Sequence, residues 1–168
     1  MNLEGVVNDV TTKLANYLAA NSSLKCKAEK LPETDKEYER AISENIIFVA
    51  VMGGNGDATR STGPVIQKRK LNVAVVLHSS ALYGDAGLHK IMDAVEKVLI
   101  GYKPDNCDRL IYIKDDRDKI AEHGVWLQNY NFETACMLIQ DDASNSDADT
   151  QYGNLTQVNY IPSTFNEA

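Results

Sequence analysis

No lysine or arginine follows Lys119, whereas seven acidic residues do, so the whole net charge of -7 falls in the last part of the chain. Before that point 17 basic and 17 acidic residues cancel. A chain with no positive excess gains little by neutralising phosphates, which argues against sequence-independent binding to DNA or RNA as its main activity. Cysteine is equally sparse. Cys26, Cys107 and Cys136 are odd in number and widely spaced, so neither a disulfide framework nor a zinc-ligand spacing can be read from them. Reduced thiols in a cytoplasmic compartment are the expectation. No apolar run approaches the ~18 residues of a membrane span, and the opening MNLEGVVNDVTTKLANYLAA lacks the basic start and continuous apolar stretch of a secretion signal. Secretion and membrane insertion are disfavoured on that reading. What remains is a chain of 168 residues with 43% hydrophobic and 24% charged content, ordinary usage for one globular unit.

Periodicity assigns the elements. Leu3, Val6, Val7, Val10, Leu14, Tyr17 and Leu18 recur at three- and four-residue spacing and predict an amphipathic helix ending near Asn21. Lys25 to Leu31 suits a short peripheral strand closed by Pro32. Asn45 to Met52 is apolar on both alternating sets, as a central strand requires, and Lys70 to His78 predicts a second strand forming a hairpin with it. Between them Gly53 to Pro64, with four glycines and a proline, reads as a loop. Leu88, Ile91, Met92, Val95, Val98 and Leu99 return to helical period within 85–102, with Lys90, Asp93, Glu96 and Lys97 facing away. Leu110 to Ile113 and Gly124 to Ile139 follow as strands, the second long enough to contain a bend or bulge. After Gln140 the acidic, apolar-poor composition predicts a flexible or partner-ordered tail, within which Val158 to Ile161 could add a short strand to a neighbour's sheet.

Motifs that carry chemistry are scarce. Gly53-Gly54-Asn55-Gly56 follows a strand, but GxxxxGK[ST] is absent, so a flexible hairpin loop outweighs a phosphate site. Cys107 lies in the turn DNCDR with no nucleophile signature and reads as a turn or packing cysteine. His78, His89 and His123 share no ligand spacing. Asp141, Asp142, Asp147 and Asp149 lack the glycine and glutamate of a calcium loop. No catalytic, cofactor or metal site is therefore assigned. Two features rise above this background. Lys68, Arg69 and Lys70, joined by Arg60, form a basic group at the edge of the glycine-rich stretch and read either as a solvated strand entrance, the favoured reading, or as an electrostatic docking surface for an acidic partner. Trp126, Tyr130 and Phe132 fall on one alternating set of the last strand and suit core packing or an exposed interface.

The stretch LYGDAGLHKIMDAVEKVLIGYKPDN, followed by HGVWLQNYNFETACML, resembles the tail terminator or tail completion proteins of tailed bacteriophages, the minor tail protein U type among them. The shared pattern is structural: a helix, a phrase of Leu-x-Gly-Tyr/Trp-x-Pro form, then a strand with Trp and a downstream Phe. Here these are Leu99, Gly101, Tyr102, Pro104, Trp126 and Phe132. The similarity covers roughly residues 1 to 139, its motif portion 82 to 132.

The resemblance implies an α/β fold of the α+β kind, a small mostly antiparallel sheet flanked by helices over residues 1–140, followed by the acidic tail 141–168. It implies a structural virion protein and no enzyme, with no cofactor. Assembled in the host cytoplasm, copies would form a hexameric ring in the neck region of the virion, at the head-proximal end of the tail. The ring would end polymerisation of the tail tube and join it to the head-tail connector. The genome DNA would pass through the lumen without specific binding, past Asp141, Asp142, Asp147 and Asp149 as lumen- or partner-facing acids. The alternatives are another neck or adaptor ring, a component of a phage-derived injection system, or, from a different class, a small hydrolase or nucleotide-binding domain.

Overall fold

Val6, Val10, Leu14 and Leu18 are four residues apart, so they stack on one side of a helix and are buried together in α1 (Leu3–Ala20). The helix stops where Asn21 turns its amide back to donate to the Tyr17 carbonyl at 2.8 Å, and a short 3-10 turn over Ser22–Leu24 leads out of it. The computed structural model describes residues 3–41, 45–57, 66–120 and 124–139. Beyond α1 it contains β1 (Lys27–Lys30), α2 (Asp35–Ala41), β2 (Ile46–Gly56), β3 (Ile66–Ser79), α3 (Leu88–Leu99), β4 (Ile111–Ile120) and β5 (Val125–Ile139).

The strands form one open sheet in the order β1-β2-β3-β5-β4, antiparallel throughout except for the β1–β2 pair. This is the expected α+β architecture. Alternation along the strands gives the sheet two unlike faces. Ile47, Val49, Leu71, Val73, Val75, Leu77, Tyr130 and Phe132 join the buried stripes of α1 and α3 in the main core. On the opposite face Ile46 and Phe48 pack with Val76 and with Tyr38 of α2, a separate and much smaller cluster.

The structure corrects several expectations. Gly53 to Gly56 belong to β2 and pair with β3, so this glycine run builds a ladder and cannot form a phosphate turn. Gly53 sits at a register shift after Val51 with φ of +128°, where a side chain would be strained. Gly54 lies so close to β3 that an added Cβ would stand 2.0 Å from the Lys70 carbonyl oxygen. The strands of the hairpin run further than predicted, and Lys68, Arg69 and Lys70 lie within β3. In β5 the register against β3 is unbroken from Trp126 to Ile139; the irregularities fall on its neighbours, at Val51/Gly53 in β2 and Tyr112/Lys114 in β4. Helix α2 was not expected, because Tyr38 is the one large apolar residue of DKEYERA and leaves no stripe to detect.

The cysteines are the largest correction. Cys107 and Cys136 form a disulfide with their Cα atoms 4.3 Å apart. The segment after α3 folds back so that Cys107 bridges Cys136 beyond the end of the β4–β5 ladder, with the Asp108 amide donating to the Ala135 carbonyl at 2.7 Å. Linear spacing held no sign of this, since the two cysteines are 29 positions apart and are brought together only by the sheet. Cys26 is the free thiol, and burial pushes its pKa up to about 12.

Candidate assembly surfaces

The turn between α3 and β4 gathers most of the pattern residues. Leu99 is buried in the core; Gly101 adopts φ of +77° and donates to the Leu110 carbonyl at 2.9 Å. The Leu110 amide returns a bond to the Tyr102 carbonyl at 2.7 Å, and the Pro104 carbonyl accepts from Cys107 at 3.2 Å. Lys13 of α1 stands over the Tyr102 ring, 5.4 Å from its centre. These contacts lock the helix to the start of β4 and to α1. Phe132 is fully buried, and Trp126 packs, half-buried, against the same core. Each of the six thus has a packing or hydrogen-bonding contact within the fold.

On the helix-covered face a chain of polar contacts ties α3 to β4 and β5. The Tyr130 hydroxyl donates to Glu96 Oε1 at 2.7 Å, so Glu96 points inward rather than away. Gln128 donates to Asp115 Oδ2 at 2.6 Å and accepts from Arg117 Nε at 2.9 Å, while the Tyr112 hydroxyl donates to Asp115 Oδ1. Arg117 further reaches His89 Nε2 at 3.3 Å and the Met92 sulfur at 3.2 Å. Burial, reinforced by Glu96, raises the Tyr130 pKa; the bond to Asp115 raises that of Tyr112. Donors and acceptors are matched inside this group, which makes it a clamp on the edge strand.

The histidines do not converge. His89 joins that clamp, whereas fully buried His78 lies on the other face, its Nε2 sharing a hydrogen bond with the Tyr38 hydroxyl at 2.9 Å. Among the described residues its Nδ1 has no hydrogen-bond partner, and burial drives its pKa down to about 4. His123 lies outside the described residues. Among the described residues no group of three or more His, Cys, Asp or Glu could hold a metal ion, and no helix is long and apolar enough to cross a membrane.

The basic triplet is divided by the strand. Lys68 Nζ bonds Asp108 Oδ2 at 2.8 Å and Lys70 Nζ lies 3.5 Å from Glu133 Oε1, both on the exposed surface. Their partners sharpen both ends of the first pair: Asp108 holds the Lys68 pKa above its ordinary value, and Lys68 holds the Asp108 carboxyl below its own. Arg69 alternates to the opposite side. Arg60 and the acids Asp141, Asp142, Asp147 and Asp149 lie outside the described residues.

Two surfaces carry exposed apolar side chains that the sequence patterns did not single out. At the free end of the β3–β5 ladder Ile66 pairs with Ile139 and Lys68 with Met137. Ile66, Met137 and Ile139 are 54%, 50% and 71% exposed, and Ile111 and Ile113 on the edge strand add two more exposed side chains. The second surface is the sheet face away from α1 and α3. There Ala50 pairs with Ala74, and Ala74 in turn with Asn131, so two small residues in a row leave a shallow groove of about 280 Å³. Leu31 and Met52, the latter 67% exposed, border it on one side; Asn129, Asn131 and Asp116 border it on the other. The alternation of β2, β3 and β5 was the available signal for this groove, once the register was known.

No curated protein is similar enough to this chain to count as a relative. Among solved structures, a chain of the virion of a native gene transfer agent particle is similar at 10% identity and a TM-score of 0.43, covering 79% of this chain and 98% of that one. The family model described as Gp37 protein matches residues 15–161, from the middle of α1 to well beyond β5. With most of its 168 residues inside that match, the chain belongs to the Gp37 protein family.

Proposed function

We propose that this protein is a structural component of a phage-type virion, acting by contact between copies and with no bond made or broken. In the fuller form of the reading, copies close into a sixfold ring at the head-proximal end of a tail, stop growth of the tail tube and meet the head-tail connector. The observation that carries it is the cluster of Ile66, Met137 and Ile139 at the free end of the β3–β5 ladder. Large apolar side chains gathered at one exposed site mark a surface made to be covered. Support also comes from the turn formed by Leu99, Gly101, Tyr102 and Pro104, which follows the pattern of tail terminator proteins and fixes α3 against β4 and α1. A ring needs two complementary patches in head-to-tail contact, and a projecting ladder end on one subunit can supply one of them. The acids after Lys119 would then face the lumen, where like charge keeps a passing genome off the wall.

Native mass spectrometry with negative-stain imaging tests this reading. A sixfold ring supports it, as does its loss in Ile66→Glu/Ile139→Glu with an unchanged circular dichroism spectrum. A monomer at all concentrations, or one that turns over a small molecule, overturns it.

A further inference from the structure

We infer that residues 155–161 of this chain, LTQVNYI, dock in the groove over Ala50 and Ala74, with Tyr160 as the anchor. The inference does not depend on ring formation. It starts from the fit between a site and a segment. The groove is shallow and its floor is apolar, because Ala50 and Ala74 sit side by side where their neighbours Phe48, Val76 and Met52 are large. Its far rim is polar, with the amides of Asn129 and Asn131 and the carboxylate of Asp116. A tyrosine suits that division, since its ring would cover the alanines while its hydroxyl donates to Asp116 or an asparagine carbonyl. In LTQVNYI, Val158 and Tyr160 fall on one alternating set, so an extended segment presents both to the sheet together.

Length supports the same route. β5 ends at Ile139, opposite Ile66, and Ala74 lies eight residues further along β3, about 27 Å at ~3.4 Å per residue. The 15 residues from 140 to 154 can span up to about 50 Å when extended, and about 21 Å as a flexible chain, so the segment reaches the groove without strain. On the way the connection passes the face that carries Lys68 and Lys70. It contains Asp141, Asp142, Asp147 and Asp149 and no basic residue, and because Asp108 and Glu133 already pair with Lys68 and Lys70 the reach of the connection, not its charge, carries the route. The family match continues 22 residues past the last described strand and stops at residue 161, where the docking segment also ends. Attachment to the same chain sets an effective concentration in the millimolar range, which favours the chain's own segment over a neighbour's.

The test uses the full-length protein. Nuclear Overhauser contacts are expected between the Tyr160 ring and the methyl groups of Ala50 and Ala74. Tyr160→Ala/Ile161→Ala should abolish them and shift the methyl signals of Ala50, Ala74 and Met52, leaving Met92 and Ala94 of α3 unmoved. The substitutions change no residue of the described sheet and cores, so the fold stays available for the comparison. Superimposable methyl spectra for the wild type and Tyr160→Ala/Ile161→Ala would overturn the inference. So would contacts that arise only between differently labelled copies, which would assign the groove to a neighbouring chain.

Discussion

Tyr130 and Glu96 join the centre of the sheet to the middle of α3 through one hydrogen bond of 2.7 Å, the phenol donating to the carboxylate. Replacing Tyr130 by Phe keeps the ring in the core and leaves the half-buried carboxylate without its donor. A loss of about 1–2 kcal/mol is expected, read from urea midpoints. Alkali should act through the same residues. The pKa values of Tyr38, Tyr112 and Tyr130 are all raised in the folded chain, so the stability they contribute is complete below pH ~10, where an unfolded tyrosine ionises, and declines as pH rises through and beyond that value. Tyr130→Phe should flatten that decline.

The Cys107–Cys136 bond makes a chemical prediction. Unfolded without reductant the protein should present one thiol to an alkylating reagent, and with reductant three. Native Cys26 should react slowly, because the thiolate is the reactive form and burial suppresses it. Cys107→Ala/Cys136→Ala should lower stability by about 3.6 kcal/mol, the loop-entropy value for a closure of this length. Three thiols in the non-reduced unfolded chain would contradict the bond.

His78 predicts behaviour in acid. Its folded pKa of about 4 lies below the ordinary 6.5, so the unfolded chain takes up the proton first and stability falls as pH drops from 6.5 towards 4. His78→Leu should show a shallower loss over that window than the wild type, measured as the urea midpoint at each pH. Equal slopes would mean that the imidazole is not the group responsible.

Gly54→Ala tests the close approach of β2 to β3. The added methyl meets backbone at Lys70 that cannot swing aside, and a loss of about 2 kcal/mol or more in thermal stability is expected. Gly56→Ala meets only the side-chain end of Gln67 and should cost distinctly less.

How far the residues announced this fold depended on whether a pattern was local. The stripe at Val6, Val10, Leu14 and Leu18 and the apolar run NIIFVAVM state their own environments, and the helix and central strand followed directly. Glu96 and Cys107 could not be read that way. Glu96 has a surface residue's chemistry and a surface position in the helical period; only Tyr130, arriving from a strand 34 residues away, turns it inward. Cys107 needed Cys136 to be carried alongside it by the sheet. The glycines of β2 misled for a related reason, since composition marks freedom of the backbone and does not say whether a turn or a tight ladder uses it. The basic residues were visible, but their division between the two sides of a strand was hidden until the register of β3 was known.

The parallel pairing of β1 with β2 has one more consequence. A parallel pair requires the intervening chain to cross over the sheet, and here that passage carries α2 across the side opposite α1. The two sides are thus furnished by separate stretches of polypeptide. Lengthening or shortening 31–45 would remodel the outer side alone, and relatives could acquire new neighbours there while inheriting the inner half unchanged.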